Sequence, residues 1–316
     1  MNFNFKKFLF VLFIVGLIVI GFLIFKFTNT NTNTNTNTYQ FINPTVVSNL
    51  GKYYIINFYP LKKDLENIQK KYSYKTYIYF LYLNNNSWIG LNEKDEFTAA
   101  STIKVPLAMS IYKAIEDGKL KANTIYNLED LDLDSNFGTL YKSGDGKQFT
   151  IEQLIEIMLS QSDNTAMQAL FHILKNIGID DPLSPVYEEL GWQYLTPPAI
   201  GEAPNYQKIN LKTLANMFLS LYNSTFLKIE NSEKILKFLA NTPFNDKLQA
   251  GLPKDIIISH KIGVSVPDKT FSDCGIIYAP NRNYILCVGL EGADEKTASK
   301  FMAEVSKTVY DYIINN

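Results

Sequence analysis

The sequence is poor in the residues that build metal centres and disulfide scaffolds. Its 316 residues include only two cysteines and two histidines, and 30 basic residues nearly balance 31 acidic ones for a net charge of −1. Two cysteines are too few for a disulfide framework or a cysteine-rich metal site. The balanced charge gives no electrostatic footprint for nucleic acid. We therefore expect no metal, no cofactor and no nucleic-acid partner, and the sequence leaves the oligomeric state open.

Two common hydrolase signatures are also missing. The chain contains neither a G-x-S-x-G elbow nor an H-E-x-x-H zinc motif. His172 lies among apolar residues on a predicted helix, which favours a core or boundary position. His260 precedes Lys261, and from the sequence it is equally compatible with lining a cleft and with a structural role.

The two cysteines flank a predicted hairpin near the C-terminus. Counting back from its turn at residues 279–283, Cys274 and Cys287 fall one residue out of register. We therefore expect two small buried thiols rather than a cross-strand bridge.

The single long apolar run lies at the N-terminus. Lys6 and Lys7 precede Phe8–Phe25, eighteen apolar or glycine residues without a charge, just enough to span a bilayer. No small-x-small cleavage site follows, and Lys26 comes next. The lysine bias places the N-terminus in the cytoplasm and the bulk of the chain outside it. We interpret residues 1–27 as an uncleaved, single-pass signal anchor in the cell membrane, with a cleaved signal peptide as the alternative.

The segment after the anchor has no apolar face to bury. Asn and Thr alternate from Thr28 to Thr38, which is typical of a flexible tether. The predicted organisation is therefore an anchor at 1–27, a tether at 28–50 and an extracytoplasmic domain at 51–316.

Strand patterns lie at both ends of this domain and helical patterns in its middle. Predicted strands cover 75–83, 87–91, 255–259, 271–278 and 284–290, and amphipathic helices fill most of 101–240. Helices are also predicted at 60–72 and 295–314. This order predicts an α+β fold: one antiparallel sheet built from both ends, flanked by terminal helices, with an inserted all-α subdomain.

Three short motifs carry candidate chemistry. Ser101 and Lys104 stand at a helix start on one face, where an amine can activate a serine hydroxyl. Alone this spacing is weak: Ser110 and Lys113 repeat it, and Ser101 could be a helix cap. Ser162-Asp163-Asn164 and Lys261-Ile262-Gly263 follow along the chain.

Together and in this order, the three motifs resemble the S-x-x-K, S-D-N and K-T-G set of the penicillin-recognising serine hydrolases, nearest to class A β-lactamases. The resemblance is carried by FTAASTIKVPLA, TIEQLIEIMLSQSDNTAMQAL and the segment around HKIG, and runs from about Tyr53 to the C-terminus. It implies an α/β domain and an all-α domain with the site between them. It also implies hydrolysis of β-lactam amides. A D,D-peptidase acting on peptidoglycan stem peptides and a non-turnover penicillin-binding sensor remain alternatives.

The same resemblance implies catalytic roles for four residues. Ser101 would be the acylated nucleophile and Lys104, desolvated between domains, its base. Ser162 would relay a proton to the leaving nitrogen, and Lys261 would supply positive potential for the substrate carboxylate.

Three further residues resemble the family's substrate-binding groups. Asn164 would bond the substrate's side-chain amide. The N–H of Val264, just past Gly263, would join the N–H of Ser101 in an oxyanion hole.

The sequence departs from the family pattern at two places. Ile262 replaces the hydroxyl residue of K-T-G, which removes a hydrogen bond worth about 1–2 kcal/mol to a charged acceptor. The loop at 193–208 lacks the E-x-x-L-N pattern of the deacylating glutamate, and Glu202 is its only acid. Glu202 is therefore the sole candidate in that loop for the deacylation base.

Overall fold

The computed structural model describes residues 40–41, 56–190 and 206–316. The predicted anchor at 1–27, most of the predicted tether and Glu202 lie outside these ranges, so the domain boundaries stay predictions. Within the described ranges, no helix combines the length and the apolar character needed to cross a bilayer.

The main sheet has five antiparallel strands: β1 (Lys75–Tyr82), β2 (Trp88–Leu91), β7 (Ile258–Ser265), β8 (Thr270–Ile277) and β9 (Tyr284–Glu291). Their order across the sheet is β2-β1-β9-β8-β7. Two small ribbons pair β3 (Phe97–Thr98) with β6 (Lys208–Ile209) and β4 (Ile125–Asn127) with β5 (Gln148–Thr150). The sheet thus joins strands from both ends of the domain, as predicted.

Helices lie on both faces of this sheet. The terminal helices are α1 (Tyr59–Lys71) and α8 (Glu295–Asn315). The inserted helices are α2 (Lys104–Glu116), α3 (Ile151–Ser160), α4 (Asn164–Asn176), α5 (Ser184–Leu190), α6 (Leu211–Asn223) and α7 (Ile229–Ala240). The observed mixture of an antiparallel sheet and these helices confirms the α+β prediction.

Strand β1 shows how the two layers share one sheet. Its side chains alternate between faces because successive residues of a strand point in opposite directions. Tyr77 and Tyr79 pack into the core under the inserted helices, whereas Ile78 and Phe80 pack into the core under α1 and α8. Burial on both faces explains why β1 reads as an uninterrupted apolar run.

Local sequence signals fix several helix starts. Thr150 and Gln153 form the predicted capping box at the start of α3. Asn210 caps α6 by accepting the N–H of Thr213 over 2.9 Å.

The expectation for the cysteines is wrong. Cys274 lies directly opposite Cys287, and the two form a disulfide between β8 and β9. The miscount arises at Tyr278, whose N–H bonds Ile257 O over 3.0 Å instead of pairing with β9. The loop is therefore six residues long (278–283), and the register shifts by one.

Strand β7 also differs from its predicted bounds of 255–259. Ile256 N–H bonds Pro253 O over 3.1 Å in a turn, so pairing begins only at Ile258. It then continues to Ser265, because β8 offers partners along the whole length. This places Lys261 and Gly263 in the middle of an edge strand.

Candidate active site

Ser101 sits on a short 3-10 turn, Ala100–Ile103, that leads directly into α2. The residue before it, Ala100, has φ of 46°, a left-handed conformation that is uncommon for a residue with a side chain. The turn brings Ser101 Oγ to 3.2 Å from Lys104 Nζ. The structure therefore brings the first motif's two side chains into hydrogen-bond contact.

Lys104 is almost fully buried, with 1% of its surface exposed. Its Nζ also contacts Asn164 Oδ1 at 2.8 Å, Ser162 Oγ at 3.4 Å and the backbone oxygen of Ser162. Burial lowers the pKa of Lys104 to about 8, against the opposing pull of the Asp163 and Asp134 carboxylates. A lysine with this pKa can exchange a proton near neutral pH.

Ser162 and Asn164 are held in place by the residue between them. Ser162 has φ of 57° in the tight connection between α3 and α4. The buried Asp163 side chain caps α4 by accepting the N–H of Ala166 over 3.0 Å. Its other oxygen accepts two loop N–H groups, those of Thr139 at 2.7 Å and Leu140 at 2.8 Å. Asp163 thus anchors the S-D-N turn to the loop beside it.

Lys261 reaches the same place from the sheet. Its Nζ donates to Ser162 Oγ over 2.8 Å and to the Ile262 oxygen over 3.2 Å. Full burial and the nearby charge of Lys104 lower the pKa of Lys261 well below its usual value, while Asp273 acts in the opposite direction. Ser162 Oγ therefore faces two amines and keeps its own hydrogen for a third partner.

Gly263 lies where β7 approaches the Ser101 turn. A Cβ on Gly263 would stand 2.9 Å from the Ala99 oxygen and 2.6 Å from Ser272 Oγ. Only glycine allows this approach, and the strand carrying Lys261 can therefore lie against the segment carrying Ser101.

A cleft of about 660 Å³ lies at this place, within the size range of small-molecule sites. The predicted site residues Lys261 and Gly263 lie next to its wall but do not line it. Ser101, Ser162, Asn164, Ile262 and Val264 all contribute to its wall. Ile262 thus lines the cleft at the position where the K-T-G pattern has a hydroxyl residue.

Two aromatic rings that the sequence reasoning missed also line the cleft. Phe137 and Phe244 have ring centroids 5.9 Å apart, and the Phe244 ring lies 5.9 Å from Lys261 Nζ. They come from loops more than 100 residues apart, and neither carries a local sequence signal.

A third missed feature is a charged group on the cleft wall. Lys247 is 1% exposed, and its Nζ bonds Asp246 at 2.8 Å and Glu295 at 2.9 Å. The two carboxylates raise the pKa of Lys247 against the effect of its burial. Lys247, Asp246 and Glu295 together carry one net negative charge at the cleft wall.

The remaining sequence candidates lie elsewhere. His260 on β7 does not line this cleft; its Nδ1 contacts Asp273 Oδ1 of the neighbouring strand β8 at 2.8 Å. His172 pairs with the buried Asp132 on the helical layer, a boundary position as expected.

Across the described residues, no group of three or more His, Cys, Asp or Glu side chains is arranged to hold a metal ion. Glu202 lies outside the described residues.

The comparisons with known proteins agree with this geometry. Residues 60–313 match the family model described as the beta-lactamase enzyme family. The chain is 23% identical to beta-lactamase VEB-1 of Pseudomonas aeruginosa over 274 residues, 81% of this chain and 91% of that one.

Solved structures show the same fold. PBP-A superposes with a TM-score of 0.72 at 21% identity, covering 82% of this chain and 97% of PBP-A. A PBP-A variant solved as its acyl-enzyme complex with penicillin G superposes with a TM-score of 0.71 at 22% identity, covering 81% and 97%.

Proposed function

Because the chain belongs to the beta-lactamase enzyme family and is a serine hydrolase of the class A type, we propose that it hydrolyses β-lactam amides through an acyl-enzyme on Ser101. The contact between Lys104 Nζ and Ser101 Oγ carries this proposal. A desolvated amine with its pKa lowered to about 8 is a base matched to a serine hydroxyl in the physiological range.

In the proposed acylation, the neutral Lys104 amine accepts the Ser101 proton while Oγ attacks the lactam carbonyl carbon. The developing oxyanion would be stabilised by the N–H groups of Ser101 and Val264. Collapse of the tetrahedral intermediate breaks the C–N bond and leaves an ester on Oγ.

The leaving nitrogen needs a proton as that bond breaks. Ser162 would supply it, since its Oγ faces the Lys104 and Lys261 amines and its own hydrogen is then available to the substrate. Protonated Lys104, whose Nζ lies 3.4 Å from Ser162 Oγ, can then return to Ser162 the proton that it took from Ser101. Water attack on the ester afterwards releases the product and regenerates the serine.

Substrate placement would rest on Asn164 and Lys261. Asn164 Oδ1 is fixed by Lys104, which leaves its NH₂ group for the carbonyl of a substrate amide. An anionic substrate carboxylate in the cleft would favour the charged form of Lys261, because a nearby opposite charge raises an amine pKa.

Nitrocefin turnover tests this function. Ser101→Ala should abolish turnover, whereas Ser110→Ala, the same change in the second S-x-x-K copy, should leave it intact. Ser110 lies away from the cleft and bonds the Pro182 oxygen. Turnover that survives in Ser101→Ala would refute the assignment.

A second function is favoured by the Ile262 side chain in the cleft wall. The K-T-G hydroxyl is missing, and Glu202, the only acid in the 193–208 loop, does not stand in an E-x-x-L-N pattern. The acyl-enzyme would then persist, as in a penicillin-binding protein. A fluorescent penicillin separates the two functions. Label that is released within minutes supports a hydrolase, and label that stays on the chain for hours supports a non-turnover binder.

We also propose that residues 1–27 anchor the chain in the cell membrane with the domain outside. The apolar run Phe8–Phe25 and its flanking lysines support this. The full chain should sediment with membranes, resist carbonate extraction and be digested by protease added outside the cytoplasmic membrane. Recovery of the full chain in the soluble fraction would contradict it.

A further inference from the structure

Two residues inside the predicted tether at 28–50 are held on the surface of the domain. Gln40 and Phe41 follow shortly after Thr38, where the alternation of Asn and Thr ends. Their backbone N–H groups donate to the two carboxylate oxygens of Glu233 on α7, at 2.8 Å and 2.9 Å. Hydrogen bonds to an ionised carboxylate are among the stronger ones in proteins. One side chain thus binds two successive residues of the tether.

The Phe41 side chain is buried at the same place. Only 5% of Phe41 is exposed, and its ring meets the Tyr278 ring edge-to-face with centroids 5.3 Å apart, an arrangement that aromatic pairs favour. The Tyr278 hydroxyl also donates to the backbone oxygen of Phe41 over 3.2 Å. Phe41 is therefore bound through its ring, its N–H and its carbonyl oxygen.

We propose that Glu233 and Tyr278 form a docking site for the chain's own Gln40–Phe41, a contact that we call the Phe41 clip. The clip fixes the point at which the tether leaves the domain. None of these four residues lines the Ser101 cleft, so the clip places the domain and takes no part in the reaction.

The clip shortens the free part of the tether. With the clip closed, the free part is residues 28–39, which span about 40 Å at full extension. Without it, the next described residue is the buried Ile56, and residues 28–55 would span about 95 Å. The clip thus more than halves the reach of the domain from the bilayer. This consequence rests on the proposed membrane anchor, whereas the clip itself does not.

Arginine-specific proteolysis of the full chain in detergent tests the clip, because Arg282 is the single arginine of the chain. Gln40→Arg keeps the backbone N–H and creates a cleavage site at the clip, and Thr34→Arg creates one in the Asn/Thr stretch. Cleavage after residue 40 requires the segment to leave Glu233. Once both rates are normalised to synthetic peptides of the same sequences, we expect it to be at least tenfold slower than cleavage after residue 34. A cut at Arg282 reports unfolding of the domain.

Substitutions in the docking site, made in the Gln40→Arg chain, assign the protection to named contacts. Glu233→Ala removes both acceptors, so cleavage after residue 40 should accelerate about tenfold or more, the scale of a hydrogen bond to a charged group. Glu230→Ala, at an exposed position one turn earlier on α7, should leave the rate unchanged. Tyr278→Phe keeps the ring and removes the hydroxyl, so it should accelerate cleavage severalfold.

Two results would overturn the proposal: equal normalised rates after residues 34 and 40, or equal rates in Glu233→Ala and Glu230→Ala. Protection that grows with protein concentration would also overturn it, because the docked segment would then come from another copy of the chain. None of these readouts depends on turnover at Ser101 or on insertion into a membrane, so they are independent of the proposed function.

Discussion

Lys261 Nζ donates a hydrogen bond to Ser162 Oγ over 2.8 Å, which joins the edge of the sheet to the helical layer across the cleft. Lys104 approaches the same hydroxyl to 3.4 Å from α2. Three segments that are far apart in the sequence thus meet at one oxygen.

The first prediction concerns the protonation of Lys104. Its pKa is lowered to about 8, so the neutral base is scarce below pH 8 and acylation should rise about tenfold per pH unit from 6 to 7 before levelling above 8. Stopped-flow acylation by nitrocefin measures this profile. A rate that is flat between pH 6 and 8 would argue against Lys104 as the base.

Lys104→Arg examines the same base by substitution. Arginine keeps the charge but stays protonated, so acylation should fall by about 10²–10⁴, the usual contribution of a general base. Lys113→Arg is the matched control, since the half-exposed Lys113 side chain forms an ion pair with Asp117 one turn along α2 and does not line the cleft. Equal rates in the two variants would exclude a special role for Lys104.

Ile262→Thr should improve binding of substrates that carry a carboxylate. The new hydroxyl restores a hydrogen bond to a charged acceptor, worth about 1–2 kcal/mol, so KM for benzylpenicillin should fall by roughly 5- to 30-fold. Ile262→Val provides the control, because valine has the shape of threonine without its hydroxyl. The interpretation fails if both variants give the same KM.

Gly263→Ala should disrupt the site. The added Cβ would stand 2.9 Å from the backbone oxygen of Ala99, which cannot move without displacing the Ser101 turn, and we expect acylation to drop by at least about 10². Gly118→Ala is the contrast: φ there is +75° and nothing lies within 4 Å. It should cost about 1 kcal/mol of stability and leave acylation unchanged.

Asp163→Asn should weaken the fold around the S-D-N turn. One carbonyl oxygen cannot replace the two carboxylate oxygens that accept the N–H groups of Ala166, Thr139 and Leu140. The free energy of unfolding in urea should fall by about 2–3 kcal/mol.

Asp294→Asn is the control for that change, because Asp294 is an exposed cap that accepts one N–H, from Thr297. Asparagine caps helices as well as aspartate does, so its cost should be a few tenths of a kcal/mol. A similar cost at both positions would contradict the anchoring role of Asp163.

The sequence was sufficient for the parts of the site that are local. Ser101 and Lys104 are three residues apart, and Ser162 and Asn164 flank a helix cap, so short-range rules position each pair. The alternation of strand and helix patterns likewise predicted the layers of the fold.

Features that depend on distant contacts could not be predicted in this way. Lys247 meets Glu295 from 48 residues away, and the Phe137 and Phe244 rings meet across two loops. The cysteine register failed because Tyr278 bonds Ile257 on a neighbouring segment rather than its hairpin partner. In each case a contact between residues distant in the sequence sets the local geometry, and no local sequence pattern predicts such a contact.

Intact and peptide mass spectrometry after exposure to benzylpenicillin tests the central claim most directly. We expect an increase equal to the whole mass of the drug, because ring opening loses no atoms. The added mass should lie on the peptide that contains Ser101 and be absent from Ser101→Ala. Its decay over time then measures deacylation. An unmodified Ser101 in the presence of excess drug, or an adduct that still forms in Ser101→Ala, would show that Ser101 is not the acylated nucleophile.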